Sequence, residues 1–101
     1  MRPIHIARLD KPRPVLVLTR DLVRPHLNTV TVAPITTVIR GLSTEVPLNA
    51  ANGLASPSVA SCDNITTVRK EAVGDIIGLL FDDQEPALAR AVNDAFALYL
   101  G

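Results

Sequence analysis

The sequence predicts a mainly β protein with one C-terminal helix, folded as a small barrel. Apolar residues alternate with polar ones, or run unbroken, in short segments through the first two-thirds of the chain. After Asp82 their spacing becomes helical. Only Phe81, Phe96 and Tyr99 are aromatic, so the core must be aliphatic.

The elements follow in order. Residues 3–7 alternate, with Ile4 and Ile6 on one face and His5 on the other, as in a half-buried strand. Residues 13–19 are a continuous β-branched and aliphatic run, which suits a central strand covered on both faces. Pro14 is tolerated only near its start. Residues 21–28 form a polar connection containing Pro25. Residues 29–35 alternate again, with Val30 and Val32 on one face. Residues 44–48 make a short strand, followed by a loop with Asn52-Gly53. Residues 58–65 make another, ending at polar Asp63-Asn64, and residues 76–81 a further one that Gly78 weakens. Five or six short strands, mostly antiparallel, then close into the barrel. Leu88, Ala91, Val92, Ala95, Phe96 and Tyr99 mark the apolar face of the helix. Asp82 or Asp83 is placed to cap it, and Pro86 falls in its first turn, where a missing N–H costs least. Gly101 ends the chain.

A chain of 101 residues, 48% hydrophobic and 20% charged, is expected to fold as one domain over residues 1–101 rather than remain disordered. The net charge is zero but uneven. Residues 1–40 carry seven basic side chains against two acidic, and residues 41–101 three against eight. Zero net charge argues against salt-driven coating of duplex nucleic acid, and the basic half favours a local cleft for an anion. Cys62 is the only cysteine, which excludes an intrachain disulfide, fits a reducing cytoplasm and reads best as a buried structural thiol. The first ten residues lack the apolar core of a signal peptide, and no apolar run is long enough to span a bilayer. No metal or cofactor is expected: His5, His26 and Cys62 match no ligand spacing, and the five glycines are isolated.

Two short motifs carry candidate chemistry. In "KPRPVLVL", residues 11–18, Arg13 stands between two prolines at the head of an apolar strand. Pro14 drives Arg13 towards extended backbone. Arg13 is then either a rim arginine with its head in water or a pre-organised cation for phosphate. In "APITT", residues 33–37, a strand runs into two adjacent hydroxyls, which either bond to nearby backbone or point into the same mouth. Arg40 follows as a possible second cation. His5 and His26 offer a weaker reading, acid–base cleavage of RNA by a histidine pair.

Taken together, "RPVLVLT" (13–19), "VAPITT" (32–37), "TEVPL" (44–48), "NGL" (52–54), "SVASCDNITTV" (58–68) and "IIGLL" (76–80) resemble the MazF/PemK toxin family over nearly the whole chain. The resemblance implies an SH3-like barrel with an appended helix, a fold of the MazF/PemK/CcdB toxin type. It implies a homodimeric, cytoplasmic toxin of a toxin–antitoxin pair, with a MazE-like antitoxin as partner and no membrane association. It further implies a metal-independent endoribonuclease acting on single-stranded RNA. Arg13 and Thr36 fall on the family's catalytic positions, and Ser58, Asp63 and Asn64 on positions lining the RNA groove. His5, Lys11, Thr37 and Arg40 are further candidate RNA contacts. Only residues 8–12, "RLDKP", precede Arg13 after the first strand, shorter than the glycine-containing loop many members carry there. Two rival functions share the fold: a non-enzymic CcdB-like toxin that binds gyrase, and a degenerate member that only binds its antitoxin.

Overall fold

The computed structural model describes residues 1–98. Seven strands form one strongly curled antiparallel sheet, with a helix packed at one end. They are β1 (Arg2–Arg8), β2 (Pro12–Val17), β3 (Thr29–Thr36), β4 (Glu45–Leu48), β5 (Ser58–Ser61), β6 (Thr66–Arg69) and β7 (Val73–Leu80), and the helix is α1 (Glu85–Phe96). The order is β4-β5-β3-β2-β1-β7, with β6 also pairing to β3. β2 lies centrally and is covered on both faces. Leu16 joins a cluster with Ile4, Ile35, Val46, Leu80 and Leu88, while Val15 and Val17 join Ala7, Val30 and Val32 on the other side.

Several expectations shift. Seven strands replace five or six, because residues 58–65 do not form one strand. β5 ends at Ser61, a 3-10 turn takes Cys62–Asn64, and β6 begins at Thr66. In β1, Ala7 is fully buried and Ile6 only half-buried. The ladder to β7 shifts register on either side of His5, so simple alternation does not predict which side chains meet the core. Neither Asp82 nor Asp83 caps α1. A 3-10 turn, Asp82–Gln84, leads into it, the residue at the cap is Gln84, and Asp82 instead pairs with the N-terminal ammonium at 2.8 Å. Pro86 does sit in the first turn. Leu88 and Ala91 are buried and Val92 and Ala95 pack beside them, but Phe96, the last residue of α1, is 57% exposed. Tyr99 and Gly101 lie outside the described residues.

The half-barrel is closed by something other than a ladder. β4 leads directly into a 3-10 turn, Ala50–Asn52, which abuts β7. Gly53 has φ +94°, and a side chain on Gly78 would overlap the carbonyl oxygen of Asn52. Asn52 is almost wholly buried, and its amide donates to the Leu79 carbonyl at 2.9 Å and to Gln84 Oε1 at 2.7 Å. Its own Oδ1 accepts the Asn49 N–H at 3.1 Å. A turn, a strand edge and the entry to α1 are thereby joined through one buried amide.

Candidate functional site

The splay of β2 from β3 makes the site. Val17, Leu16 and Val15 pair with Val32, Ala33 and Pro34, and there the β2–β3 ladder stops. β3 continues by pairing Ile35 and Thr36 with β5. Past the last pair, the same antiparallel register brings Arg13 level with Thr36 on one face, two residues beyond Val15 and Pro34. The opening between them is a groove of about 540 Å³. Leu9, Asp10 and Arg13 form one wall, Pro34–Thr36 and the following loop the other, and Ser61, Asp63 and Asn64 complete the lining. The prolines fit this geometry. β3 does not pair with β2 at Pro12 or Pro14, so their missing N–H groups fall where one ladder is already absent.

Several polar groups in the groove are held. Asp10 accepts two hydrogen bonds from Arg13, from Nε at 2.8 Å and from Nη2 at 3.1 Å. This bidentate pair holds the Asp10 carboxyl far below the usual carboxylate range, and raises the Arg13 guanidinium further. With Asp10 depressed, the pair is complete above the ordinary carboxylate pKa. It is lost only as pH falls through the lowered value. Thr36 Oγ1 accepts the Val38 N–H at 3.1 Å. The Glu45 carboxylate accepts N–H groups from Arg40, Gly41 and Leu42, the shortest at 2.9 Å, and Gly41 supplies φ +73° for that turn. Thr44 donates to Asp63 at 2.6 Å, and Asn64 donates to Ser61 Oγ at 2.8 Å.

Glu45 therefore shapes the loop that carries Arg40. In Glu45→Ala three amides lose their acceptor, and residues 40–42 loosen. Amide hydrogen exchange at these positions is expected to rise about tenfold or more while the core strands stay protected. Unchanged protection would show that the loop is held by other means.

Of the residues expected at the site, the groove collects Arg13, Thr36, Arg40, Asp63 and Asn64. It does not collect the others. Ser58 is a correction: it is buried, and its hydroxyl donates to the Ser56 carbonyl at 2.9 Å, because β5 is covered on both faces at its start. The His5 ring bonds through Nδ1 to the Gly74 carbonyl at 2.8 Å, on the β1–β7 side of the sheet. Lys11 and Thr37 are exposed but do not line the groove. Asp10 and Glu45 were not anticipated. The groove is also less basic than the first half of the chain, with Arg13 and Arg40 facing Asp10, Glu45 and Asp63. Arg2 is drawn away to Glu85, at 2.7 Å, and Arg24 to Asp21.

Cys62 is buried, and burial, with Asp63 adjacent, pushes its thiol up to about 11. A thiol-modifying reagent is expected to leave the native protein unlabelled at neutral pH and to label it after denaturation. Rapid native labelling would contradict the buried placement. Among the described residues, no group of three or more His, Cys, Asp or Glu side chains is arranged to hold a metal ion, and no helix is long and apolar enough to cross a membrane.

A curled sheet whose central strands part to set an arginine opposite a threonine defines a small β protein with an open polar groove. The chain belongs to the family of PemK-like, MazF-like toxins of type II toxin–antitoxin systems, whose family description matches residues 5–96. It is 64% identical over 98 residues to endoribonuclease MazF3 of Mycobacterium tuberculosis, covering 97% of this chain and 95% of that protein. A probable endoribonuclease MazF5 of the same species is 36% identical over 84 residues, covering 82% and 77%. The solved structure of the Mycobacterium tuberculosis toxin MazF-mt6 superposes with a TM-score of 0.96 at 63% identity, covering 98% of this chain and all of that one.

Proposed function

We propose that this chain is a single-domain endoribonuclease toxin that cuts single-stranded RNA at short sequences. The observation that carries the reading is Arg13 standing level with Thr36 across the β2–β3 groove. The ribose 2′-OH attacks the adjacent phosphorus and gives up its proton to solvent. The P–O5′ bond breaks, and the leaving oxygen takes a proton. A 2′,3′-cyclic phosphate and a 5′-OH remain. RNA supplies its own nucleophile, so the protein's tasks are to hold the strand in line and to stabilise charge on the phosphorane.

Arg13 performs the second task. Its guanidinium is a poor acid made poorer by Asp10, so it acts through charge and hydrogen bonds rather than by donating a proton. Thr36 hydrogen-bonds the scissile phosphate or the 2′-OH. Arg40 contacts a neighbouring phosphate, and Asp63 and Asn64 offer hydrogen bonds to exposed base edges. The protein works in the cytoplasm as a homodimer, neutralised by a MazE-like antitoxin. Exposed Ile76, Phe96 and Leu98 supply apolar surface for protein partners. The family match together with the Arg13–Thr36 arrangement favours the nuclease over a gyrase-binding or degenerate toxin.

The test is direct. Purified protein is incubated with long single-stranded RNA in excess EDTA, and new 5′ ends are mapped. Cuts at one recurring short sequence support the proposal. Absence of cuts on varied RNAs, or gyrase inhibition without cleavage, would overturn it.

A further inference from the structure

On the far side of the β1–β2 turn from Arg13 lies a second concavity, of about 410 Å³. Ile6, Arg8 and Pro12 line it from β1 and β2, and Arg69, Glu71 and Gly74 from the other side. Successive residues of a strand face opposite ways. Arg13 pairs with Ala7 and Pro12 with Arg8, so Arg8 projects from the face opposite to Arg13. Arg69 arrives from a distant part of the chain. It ends β6, opposite Thr29, and the 3-10 turn Lys70–Ala72 carries the chain on to Val73, which pairs with Ala7. Two exposed arginines are thereby brought to one concavity. Among the described residues neither forms an ion pair, although Glu71 lines the same concavity. Arg2, Arg13 and Arg24, by contrast, each hold a carboxylate. Two guanidinium forks with no carboxylate of their own suit an oxyanion that both can reach.

The two concavities are close along the chain. Only Leu9, Asp10 and Lys11 lie between Arg8 and Pro12, the last pair of the β1–β2 ladder. Lys11 is exposed on that turn and, among the described residues, also forms no ion pair. Arg13, Lys11 and the Arg8–Arg69 concavity therefore follow one another across a narrow ridge. We propose that the Arg8–Arg69 concavity is a second phosphate subsite, which takes a backbone phosphate of the RNA a few nucleotides from the cut, after the strand has crossed the β1–β2 turn. The inference rests on the endoribonuclease reading and extends it to the length of substrate that is held. An RNA strand is favoured over an acidic peptide because the concavity adjoins, across three residues, the groove that receives the scissile phosphate. Glu71 offsets part of the positive charge, so the subsite retains a strand already engaged at Arg13 rather than capturing one alone.

Binding measurements test this. Oligoribonucleotides are extended one nucleotide at a time on either side of a mapped cut site, each with a single 2′-deoxy substitution that blocks cleavage. Affinity is expected to rise about tenfold at the length where the strand first reaches the concavity, the scale of one charge-assisted hydrogen bond. In Arg8→Ala and in Arg69→Ala that rise should disappear. The log–log salt dependence for the long strand should flatten by about 0.7, the value for one phosphate of a single strand. Glu71→Gln should act in the opposite direction and bind long strands severalfold more tightly, which decides the matter even where an arginine variant fails to fold. No rise with length, a loss equal on short and long strands, or no tightening in Glu71→Gln would overturn the subsite. So would arginine variants that weaken only the antitoxin complex and leave long RNA bound as before, which would make the concavity a site for protein carboxylates. If the parent protein cuts no RNA, the nuclease reading falls. Oligouridylates of increasing length then still decide the subsite, by showing or lacking the same rise and its loss in the arginine variants.

Discussion

In Arg13→Ala, RNA cleavage is expected to fall by about 10³-fold or more, because an arginine that stabilises phosphoryl transition-state charge contributes on that scale. The fold should be unaffected. Arg13 lies where β2 has already parted from β3, and its ion partner Asp10 is exposed, so no buried contact is lost. The variant should melt with the parent and still bind the antitoxin. Arg13→Lys separates charge from geometry. It keeps the positive charge but loses the fork, and activity should recover only in small part. Full cleavage by the alanine variant, measured on the same RNA under the same salt, would remove Arg13 from the mechanism.

The second large effect is on the fold. Gly78→Ala places a methyl group against the carbonyl of Asn52, where backbone meets backbone and no side chain can swing aside. Either the Ala50–Asn52 turn or β7 must move. That movement strains the hydrogen bonds of Asn52 to Leu79 and Gln84, in a buried network where one unpaired group costs about 1–3 kcal/mol. The expected destabilisation is about 3 kcal/mol or more, beyond the usual range for a surface substitution. Chemical denaturation reads it as a lower midpoint. A parent-like midpoint would show that the seam between the turn and β7 yields easily. Activity in the surviving folded fraction should be near normal, since the seam is not part of the groove lining.

These two residues also mark what is legible in the sequence. Arg13 and Thr36 drew notice because one opens an apolar strand between two prolines and the other closes a strand two residues after Pro34, but that local pattern left their roles open and only the family resemblance assigned them. The central placement of β2 was legible locally, since an unbroken apolar run needs cover on both faces. Gly78 was visible only as a weak point in a strand, because the atom it must accommodate belongs to Asn52, far away in the chain. Ser58 misled for another reason. It was placed at the groove by the resemblance alone, and its side chain is buried because β5 is covered on both faces at its start. β6 was hidden by the polar residues before it, which read as the end of a strand when they are a 3-10 turn between two.

Asp10 and Glu45 were missed although a signal exists. Both are acids a few residues from a group they hold: Asp10 three before Arg13, and Glu45 three to five after the loop amides it accepts. The departure noted in "RLDKP", its shortness, is what brings Asp10 within reach. The basic character of residues 1–40 was real in the sequence but did not transfer to the groove. Arg2, Arg13 and Arg24 each acquire a carboxylate partner, and the groove draws acids from the second half of the chain. Charge counted along a chain says little about a surface assembled from its distant parts.

In the proposed reaction the chain directs the RNA's own 2′-OH onto phosphorus. An oligoribonucleotide spanning a mapped cut site, incubated with the protein in EDTA, tests it most directly through the chemistry of the new ends. The expected products are a 2′,3′-cyclic phosphate on one fragment and a 5′-OH on the other, with cleavage abolished by a single 2′-deoxy substitution at the cut nucleotide. A 5′-phosphate product, or undiminished cleavage of the deoxy-substituted strand, would contradict it.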